Sequence, residues 1–251
     1  MNRFFVNKDE SGRIILSGED YKHAKKVLRL DIKDKIYVVL DNKEYIGMIS
    51  EDRDSSFVLE ITKTTEVSRE PDVCIHIYQS MPKSSKMDYI IQKNVELGVK
   101  KLTPIISNRS LIKIKNHKKE KKKLERWIKI SEEAAKQSMR NTIPEINGIL
   151  SFDEMIKELK ESIQENDVEV IVPYENENIK STKDLDYKKK KFSVVIGPEG
   201  GFEESEIHKL IDIGAVPITL GPRILRSETA ALALSTVILH ETNNMRRESW
   251  K

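Results

Sequence analysis

The sequence predicts a two-domain protein of the α/β class, with a small β domain over residues 1–70 and an α/β domain with a parallel sheet over residues 71–251. Three observations support this division. Strand-like segments dominate residues 4–61, the polar stretch 62–72 with Pro71 is typical of a linker, and strands alternate with helices from residue 73 onward.

The first domain is predicted to be a small barrel or curled sheet. Apolar strand-like segments are separated by Asp41-Asn42 and by the polar cluster 51–56, both typical of turns. The predicted strands are 4–6, 14–17, 35–40, 45–50 and 57–61, with one helix over 19–30.

The second domain is predicted to contain strands covered on both faces, because segments such as 168–172 and 192–196 are nearly continuous apolar runs. Parallel sheets of this kind bind ligands at the carboxyl ends of their strands, so the loops that follow the strands are the candidate site. The predicted strands are 73–79, 102–107, 168–173, 192–197 and 217–220, and the predicted helices are 84–97, 119–140, 152–163, 203–213 and 227–243.

Charge is distributed unevenly along the chain. Residues 100–140 carry 14 Lys and Arg against 4 Asp and Glu, whereas residues 151–187 carry 4 against 11. Clustered cations are the general source of nucleic-acid affinity, so the first stretch indicates a surface for a polyanion. A solvated helix face is the equally open alternative for the lysines of 113–129.

The composition favours a soluble, cytoplasmic protein. No segment approaches the ~18 uninterrupted apolar residues of a membrane span, and the N-terminus lacks the features of a signal peptide. The single cysteine, Cys74, lies in an apolar stretch that predicts a buried, inert thiol, and this indicates a reducing compartment. The five histidines show no ligand-like spacing, so no metal is expected.

The first candidate loop is Gly197-Pro-Glu-Gly-Gly201, between a buried strand and a helix. Its adjacent glycines permit positive φ and a close approach of ligand to backbone. A phosphate loop is excluded because no Lys-Ser/Thr follows and because Glu199, Glu203 and Glu204 would repel an anion. The acids favour a small cationic or neutral ligand, and a simple tight turn is the alternative.

The second candidate loop, Leu220-Gly-Pro-Arg-Ile-Leu-Arg-Ser-Glu-Thr229, also leaves a strand and opens a helix, with Ser227 as the expected N-cap. In a parallel sheet both loops would open onto one edge. Arg223 and Arg226 are candidates for a substrate contact, or else surface charge flanking a helix. The following helix is apolar nearly all round, which is typical of either a homodimer interface or simple core burial.

These segments, together with others along the chain, resemble a known family: the bacterial small-subunit ribosomal RNA methyltransferases of the RsmE type, in the SPOUT superfamily of knotted methyltransferases. The matching pieces span the chain, with Ser227 standing where threonine is common in the family. They are Arg3-Phe-Phe, His23-Ala-Lys-Lys-Val-Leu-Arg29, Gln92-Lys-Asn-Val-Glu-Leu-Gly98, Pro104-Ile-Ile-Ser-Asn-Arg109, Arg140-Asn-Thr-Ile-Pro-Glu145, Ile196-Gly-Pro-Glu-Gly-Gly201 and Leu220-Gly-Pro-Arg-Ile-Leu-Arg-Ser-Glu-Thr229.

The resemblance implies a PUA-like β-barrel domain and a C-terminal SPOUT domain with a deep trefoil knot. It also implies a homodimer that uses S-adenosyl-L-methionine, without metal, to methylate N3 of one uridine in the decoding region of 16S ribosomal RNA within the small ribosomal subunit. Uracil N3 carries a proton, so a site for this reaction must stabilise the uridine anion or accept the proton. We expect Arg226 to do the former, with Glu228 or a water as proton acceptor.

Two further sets of residues are predicted, the cofactor-binding set by similarity to the family's knot and the RNA-binding set because cationic and amide groups suit phosphates and an extruded base. The expected cofactor-binding residues are Pro173, Gly197, Pro198, Gly200, Gly201, Leu220, Gly221, Ile224, Leu225, Ser227 and Thr229. The expected RNA-binding residues are Arg3, His23, Arg29, Arg109, Arg140 and Asn141, each of them otherwise an ordinary surface residue.

Two other functions remain open at this stage. One is an RNA-binding or ribosome-assembly protein without catalytic activity, against which the two intact glycine loops argue. The other is a related knotted methyltransferase that acts on a different RNA, such as a transfer RNA.

Overall fold

The computed structural model describes residues 2–83, 86–110, 117–164 and 167–246. Contacts divide them into two compact units, the first made of residues 2–70 together with Lys136–Thr142, and the second made of Pro71–Ala135 and residues 143–246.

The first unit is built on a six-stranded sheet. The strand order is β1-β4-β5-β6-β3-β2, with β1 parallel to β4 and the remaining pairs antiparallel. Only Val6 separates the two edge strands in the chain, so the sheet must curl back on itself. The strands are β1 Arg3–Phe5, β2 Asn7–Lys8, β3 Ile14–Ser17, β4 Lys35–Leu40, β5 Lys43–Arg53 and β6 Ser56–Thr64.

The helix of this unit differs from the prediction of one helix over 19–30. A short α-helix, α1 (Gly18–Lys22), continues into one π-helical turn, His23–Val27, and the chain then leaves the helix at Arg29, whose φ is 56°. Ala24, in the π-helical turn, is fully buried. The wider turn was not predictable, because π-helical turns have no clear sequence signal.

Charged side chains are buried inside the first unit. Glu44 is 2% exposed and pairs with both Arg3 and Arg69, the latter at 2.9 Å. Arg140 pairs with Glu70 at 2.5 Å, and its carbonyl accepts a 2.7 Å hydrogen bond from Arg3. Burial, with the neighbouring charge of Arg69, lowers the pKa of Arg3 to about 10. These paired charges hold the predicted linker against the β domain.

The second unit contains an all-parallel sheet, which confirms the predicted α/β class. Its strand order is β10-β8-β7-β12-β11-β13, and β9 pairs with β8. The strands are β7 Cys74–Ser80, β8 Lys101–Ile106, β9 Glu145–Ile146, β10 Leu150–Ser151, β11 Val168–Pro173, β12 Lys191–Ile196 and β13 Val216–Ile218, and the helices are α2 Lys86–Leu97, α3 His117–Gln137, α4 Phe152–Gln164, α5 Glu204–Asp212 and α6 Ser227–Glu241, with a 3₁₀ turn at Thr182–Asp184.

The central strands are buried on both faces, as the apolar runs predicted. In β12 the five residues from Phe192 to Ile196 are all buried. Helices α4 and α5 pack on one face through Met155, Leu159, Ile207 and Leu210. This packing fixes the carboxyl ends of β7, β11, β12 and β13, and hence the loops that leave them.

Three predictions for this unit need correction. Helix α3 ends at Gln137 rather than at residue 140, because Met139 adopts a left-handed backbone with φ 62°. Cys74 is half-buried rather than buried, since it lies at the first residue of β7. The two-residue strands β9 and β10 were not predicted, because segments this short carry no periodic pattern.

Candidate functional site

A cavity of about 720 Å³ lies at the carboxyl edge of the parallel sheet, between the loops that follow β11, β12 and β13. It brings both glycine loops together, as the parallel arrangement predicted. Ten of the eleven predicted cofactor-binding residues line it, and Thr229 does not. The lining residues are Pro173, Tyr174, Glu175, Glu177, Asn178, Ile196, Gly197, Pro198, Glu199, Gly200, Gly201, Phe202, Thr219, Leu220, Gly221, Pro222, Arg223, Ile224, Leu225, Arg226, Ser227 and Ala230.

Two lining glycines adopt backbone conformations that other residues rarely reach. Gly201 has φ 69°, and Gly221 has φ 104°. A side chain at Gly201 would also overlap Oε1 of the Glu175 carboxylate. The missing side chains therefore permit both the loop geometry and the close approach of a carboxylate to the backbone.

Ser227 does not cap α6 as predicted. It is the first helical residue, the N-cap position belongs to Arg226, and no side chain makes a capping hydrogen bond. The Ser227 hydroxyl instead donates to the carbonyl of Gly197 at 2.8 Å and accepts from Nε2 of the fully buried Gln79 at 2.8 Å. The hydroxyl thus bonds a half-buried carbonyl and a fully buried amide instead of the helix end, so Ser227 links β7, the loop after β12 and α6 beneath the cavity.

Removing the Ser227 hydroxyl should loosen this junction. We expect Ser227→Ala to destabilise the second unit by about 1–2 kcal/mol, because Gly197 and Gln79 each lose a buried hydrogen bond. Ser227→Thr, which keeps the hydroxyl, should lose less. Thermal unfolding measures the loss of stability, and hydrogen exchange of the amides in 197–201 measures the loosening of the loop. Ser205→Ala, on the exposed side of α5, is the control. Equal protection in Ser227→Ala and wild type would contradict this role.

The loop after β8 anchors the first glycine loop. The Asn108 backbone N–H donates to Glu206 at 2.8 Å, and Arg109 donates to the carbonyl of Gly200 at 3.0 Å. Glu206 is itself buried, and it completes a capping box with Glu203 at the start of α5. The two loops therefore hold each other in place on the same edge of the sheet.

The acids near the first loop have more specific partners than the sequence suggested. Glu203 accepts a hydrogen bond from Asn108 at 2.9 Å, and Glu199 accepts one from the Lys83 N–H at 3.1 Å. Burial tends to raise the pKa of Glu199, but this hydrogen bond and the Lys86 ammonium outweigh it and hold the pKa below its ordinary value. Glu175 has no hydrogen-bond or ion-pair partner within the described part of the chain, so its charge faces the cavity.

The two predicted catalytic residues lie on either side of Ser227 but in different surroundings. Arg226 lines the cavity and is exposed, and its guanidinium meets no acceptor among the residues that the structure describes. Glu228 does not line the cavity; its carboxylate is 16% exposed and lies 3.3 Å from the Lys86 ammonium. Arg226 is thus available to a ligand, whereas Glu228 is engaged by a lysine.

The predicted RNA-binding residues separate into two groups. His23, Arg29 and Arg109 are exposed, although Arg109 also supports the glycine loop. Arg3, Arg140 and Asn141 are 6%, 3% and 3% exposed and are bound within the first unit. An RNA contact by these three remains a prediction, and it would require their intramolecular contacts to open.

Four residues important to the site geometry escaped the sequence prediction: Gln79, Lys86, Glu175 and Glu206. A signal existed for Glu206, which stands three residues after Glu203 in a capping-box arrangement. Gln79 interrupts an apolar strand at its carboxyl end, where polar groups often face a site. Lys86 and Glu175 carried no local signal, because their roles depend on partners far away in the sequence.

Other kinds of site receive no support from the described residues. None of the histidine side chains described by the structure lines the cavity, and no cluster of three or more His, Cys, Asp or Glu suited to a metal occurs in the described ranges. In those same ranges no helix is sufficiently long and apolar to span a membrane.

Sequence profiles of two families match the chain. The profile of the RNA methyltransferase domain matches residues 69–239, which is more than half of the chain. The profile of the RNA methyltransferase PUA domain matches residues 16–62. The second match confirms the PUA-like character predicted for the N-terminal domain.

Individual relatives agree with these profiles. The chain is 33% identical over 263 residues to ribosomal RNA small subunit methyltransferase E of Bacillus subtilis, covering 98% of this chain and 99% of that protein. It is 31% identical to the protein of the same name in Aquifex aeolicus, covering 96% and 100%. A solved structure of the Neisseria gonorrhoeae protein of that name, bound to S-adenosyl methionine, is similar at TM-score 0.82 and 28% identity, covering 95% and 97%.

Proposed function

The chain belongs to the ribosomal RNA small subunit methyltransferase E family of RNA methyltransferases, and on this premise we propose that it transfers a methyl group from S-adenosyl-L-methionine to N3 of a uridine in the decoding region of 16S ribosomal RNA. The observation that carries the proposal is the cavity at the carboxyl edge of the parallel sheet, where both glycine loops of the family motif meet. This convergence argues against a protein that only binds RNA, which would have no evident use for a small-molecule cavity walled by both loops.

The lining of the cavity fits the proposed cofactor. Its volume of about 720 Å³ is within the usual range for small-molecule sites. The apolar side chains of Leu220, Ile224 and Leu225 suit the faces of an adenine ring. Ile224 is 91% exposed, as expected of an apolar side chain that a ligand would cover. The carboxylate of Glu175, which has no partner among the described residues, suits a ligand that carries positive charge or hydroxyl donors.

The proposed cofactor supplies an already activated methyl group, so the protein's tasks are positioning and proton management. Arg226 is proposed to hold O2 or O4 of the uracil through its guanidinium, which stabilises negative charge as N3 loses its proton. Support for this role comes from its position in the lining and from its freedom from acceptors within the described residues.

The proton acceptor is proposed to be Glu228 or a water molecule. Glu228 lies in the first turn of α6, two residues after Arg226, but its carboxylate is engaged by Lys86 at 3.3 Å. A water held near the cavity mouth would reach N3 without breaking that pair. No described histidine side chain competes for this role, since none lines the cavity.

RNA contacts are proposed on exposed basic surfaces of each unit. In the first unit these are His23 and Arg29, and in the second the N-terminal half of α3 together with Arg109. Lysines at 121, 122 and 123 stand exposed near the N-terminus of α3, where they oppose the helix dipole. A function for these cations, such as phosphate binding, would explain why they occur there. The lysine-rich residues 113–116 lie outside the described residues.

The assembly and compartment are part of the same proposal. A trefoil knot formed by the loops around the cavity, a homodimer using the apolar α6, and a cytoplasmic location follow from the family resemblance. Residues Leu232, Ala233, Thr236 and Val237 of α6 remain partly exposed in the single chain, which supports a second protomer as their cover. The boundary between the domains is proposed at residue 70.

Two measurements test the proposal. Calorimetry should show S-adenosyl-L-methionine binding to the purified protein; absence of binding at millimolar concentration would leave only an RNA-binding role. Nucleoside mass spectrometry of small-subunit RNA from a strain lacking the gene should show loss of 3-methyluridine, restored by the wild-type gene. Retained 3-methyluridine, with another methylated nucleoside lost from ribosomal or transfer RNA, would assign a different substrate.

A further inference from the structure

A cluster of three charged side chains joins the loops around the cavity. The ammonium of Lys86 lies 3.3 Å from Oε1 of Glu228 and 3.6 Å from Oε1 of Glu199. The side chains are 32%, 16% and 28% exposed, respectively, so solvent screens the ion pairs only in part.

The three residues belong to three different parts of the carboxyl edge. Lys86 is the first described residue of α2, Glu199 lies in the glycine loop after β12, and Glu228 lies in the first turn of α6. The backbone N–H of Lys83 donates to the same Oε1 of Glu199 at 3.1 Å. Lys83 and Lys86 thus contact both glycine-containing walls of the cavity, although neither of these two residues lines it.

The stability of α2 gives no reason for a lysine at residue 86. A cation at the first residue of a helix is unfavourable with respect to the helix dipole, and ordering a long side chain costs conformational entropy. The other lysine of α2 with a carboxylate partner, Lys93, pairs with Glu96 at 2.8 Å inside the same helix, as surface helices commonly do. Lys86 instead spans more than 100 residues of sequence to reach its two partners.

Residues 197–201 form one wall of the cavity, and residues 220–226, which include Arg226, form the other. We propose that Lys86 is a positioning residue that ties these two walls together and so sets the width of the pocket and the placement of Arg226. Arg226 lies two residues before Glu228, with the anchored Ser227 between them. Fixing Glu228 through Lys86 therefore restricts the backbone that carries Arg226. This inference rests on the proposed function only in assigning a cofactor to the pocket.

Cofactor affinity is the first test, measured by calorimetry with S-adenosylhomocysteine, which cannot be turned over. We expect Lys86→Met to weaken binding about tenfold, because the two walls lose their common anchor. Lys86→Arg should recover most of the affinity, since a guanidinium can also bridge two carboxylates. Lys93→Met, which removes an equally exposed lysine from the same helix, should bind like wild type.

A double-mutant cycle identifies the partner. If Lys86 acts through Glu228, whose side chain does not line the cavity, then Lys86→Met combined with Glu228→Gln should bind no more weakly than Lys86→Met alone. Additive losses would show that the two residues act independently and would overturn the proposal. Wild-type affinity in Lys86→Met, or Lys86→Arg as weak as Lys86→Met, would overturn it as well.

Hydrogen exchange of the protein without cofactor separates this inference from the proposed function. Amides in 197–201 and 220–226 should exchange faster in Lys86→Met than in wild type and in Lys93→Met, whatever the pocket binds. If wild type fails to bind S-adenosylhomocysteine, the proposed function fails, yet this exchange difference still decides whether Lys86 ties the walls. Unchanged exchange in both segments would refute the anchor.

Discussion

Arg226→Ala is expected to lower kcat for methylation of small subunits isolated from a strain lacking the gene by at least about 10²-fold, the usual effect of removing one donor to a developing anion. Cofactor affinity should stay near that of wild type, because Arg226 is exposed at the mouth of the cavity and the apolar lining remains. Single-turnover kinetics with calorimetry in parallel separate the two effects.

Two neighbouring substitutions sharpen the test. Arg223→Ala removes an equally exposed arginine from the same loop and should retain most of kcat. Arg226→Lys should recover only part of the rate, since an ammonium lacks the planar pair of donors that can hold a carbonyl oxygen. Normal cofactor binding with full turnover in Arg226→Ala would show that the uridine anion is stabilised elsewhere.

Glu44→Gln is expected to destabilise the first unit by about 3 kcal/mol, because it leaves two buried or partly buried arginines without their shared carboxylate. Glu44 is 2% exposed and pairs with Arg3 and Arg69, while Thr65 donates to it at 2.9 Å. The lowered pKa of Arg3, caused chiefly by burial, indicates how poorly this guanidinium is solvated. The carboxylate partner therefore offsets part of the cost of burying the charge of Arg3.

Native-state hydrogen exchange of amides in β4 and β5 of the full chain measures this effect, since a protein of two units need not unfold in one transition. Glu51→Gln is the matched control: it removes the same charge from the same strand, but Glu51 is 52% exposed and pairs only with nearby Arg53 within the described residues. We expect no measurable change there. Equal protection in Glu44→Gln and wild type would mean that the buried arginines find other acceptors.

The buried network also explains why candidate RNA-binding residues were difficult to judge from sequence. Cations usually face solvent, and the chain neighbours of Arg3 and Arg140 gave no sign that these two do not. In the structure the two residues are in contact: the carbonyl of Arg140 accepts a hydrogen bond from Arg3, which lies 137 positions away in the sequence. No periodic pattern reports a contact at that separation, so the sequence could nominate the residues but could not tell a structural cation from an accessible one.

The sequence by itself determined the features that depend on local pattern. Continuous apolar runs indicated the buried parallel strands, paired glycines indicated the two loops, and the parallel arrangement placed both loops on one edge. These predictions were confirmed because an apolar run and the backbone freedom of glycine are properties of a few neighbouring residues.

Only the tertiary structure decided how the loops are held. The Ser227 hydroxyl, predicted as a helix cap, links Gly197 and Gln79 instead. Lys86 lies between Glu199 and Glu228. Within the described part of the chain, Arg226 and Glu175 are unpaired at the cavity. Each of these outcomes depends on which polar groups are buried together, and a buried group takes the partner that its surroundings offer. Chain neighbours do not set that choice; the packing of distant strands and helices does.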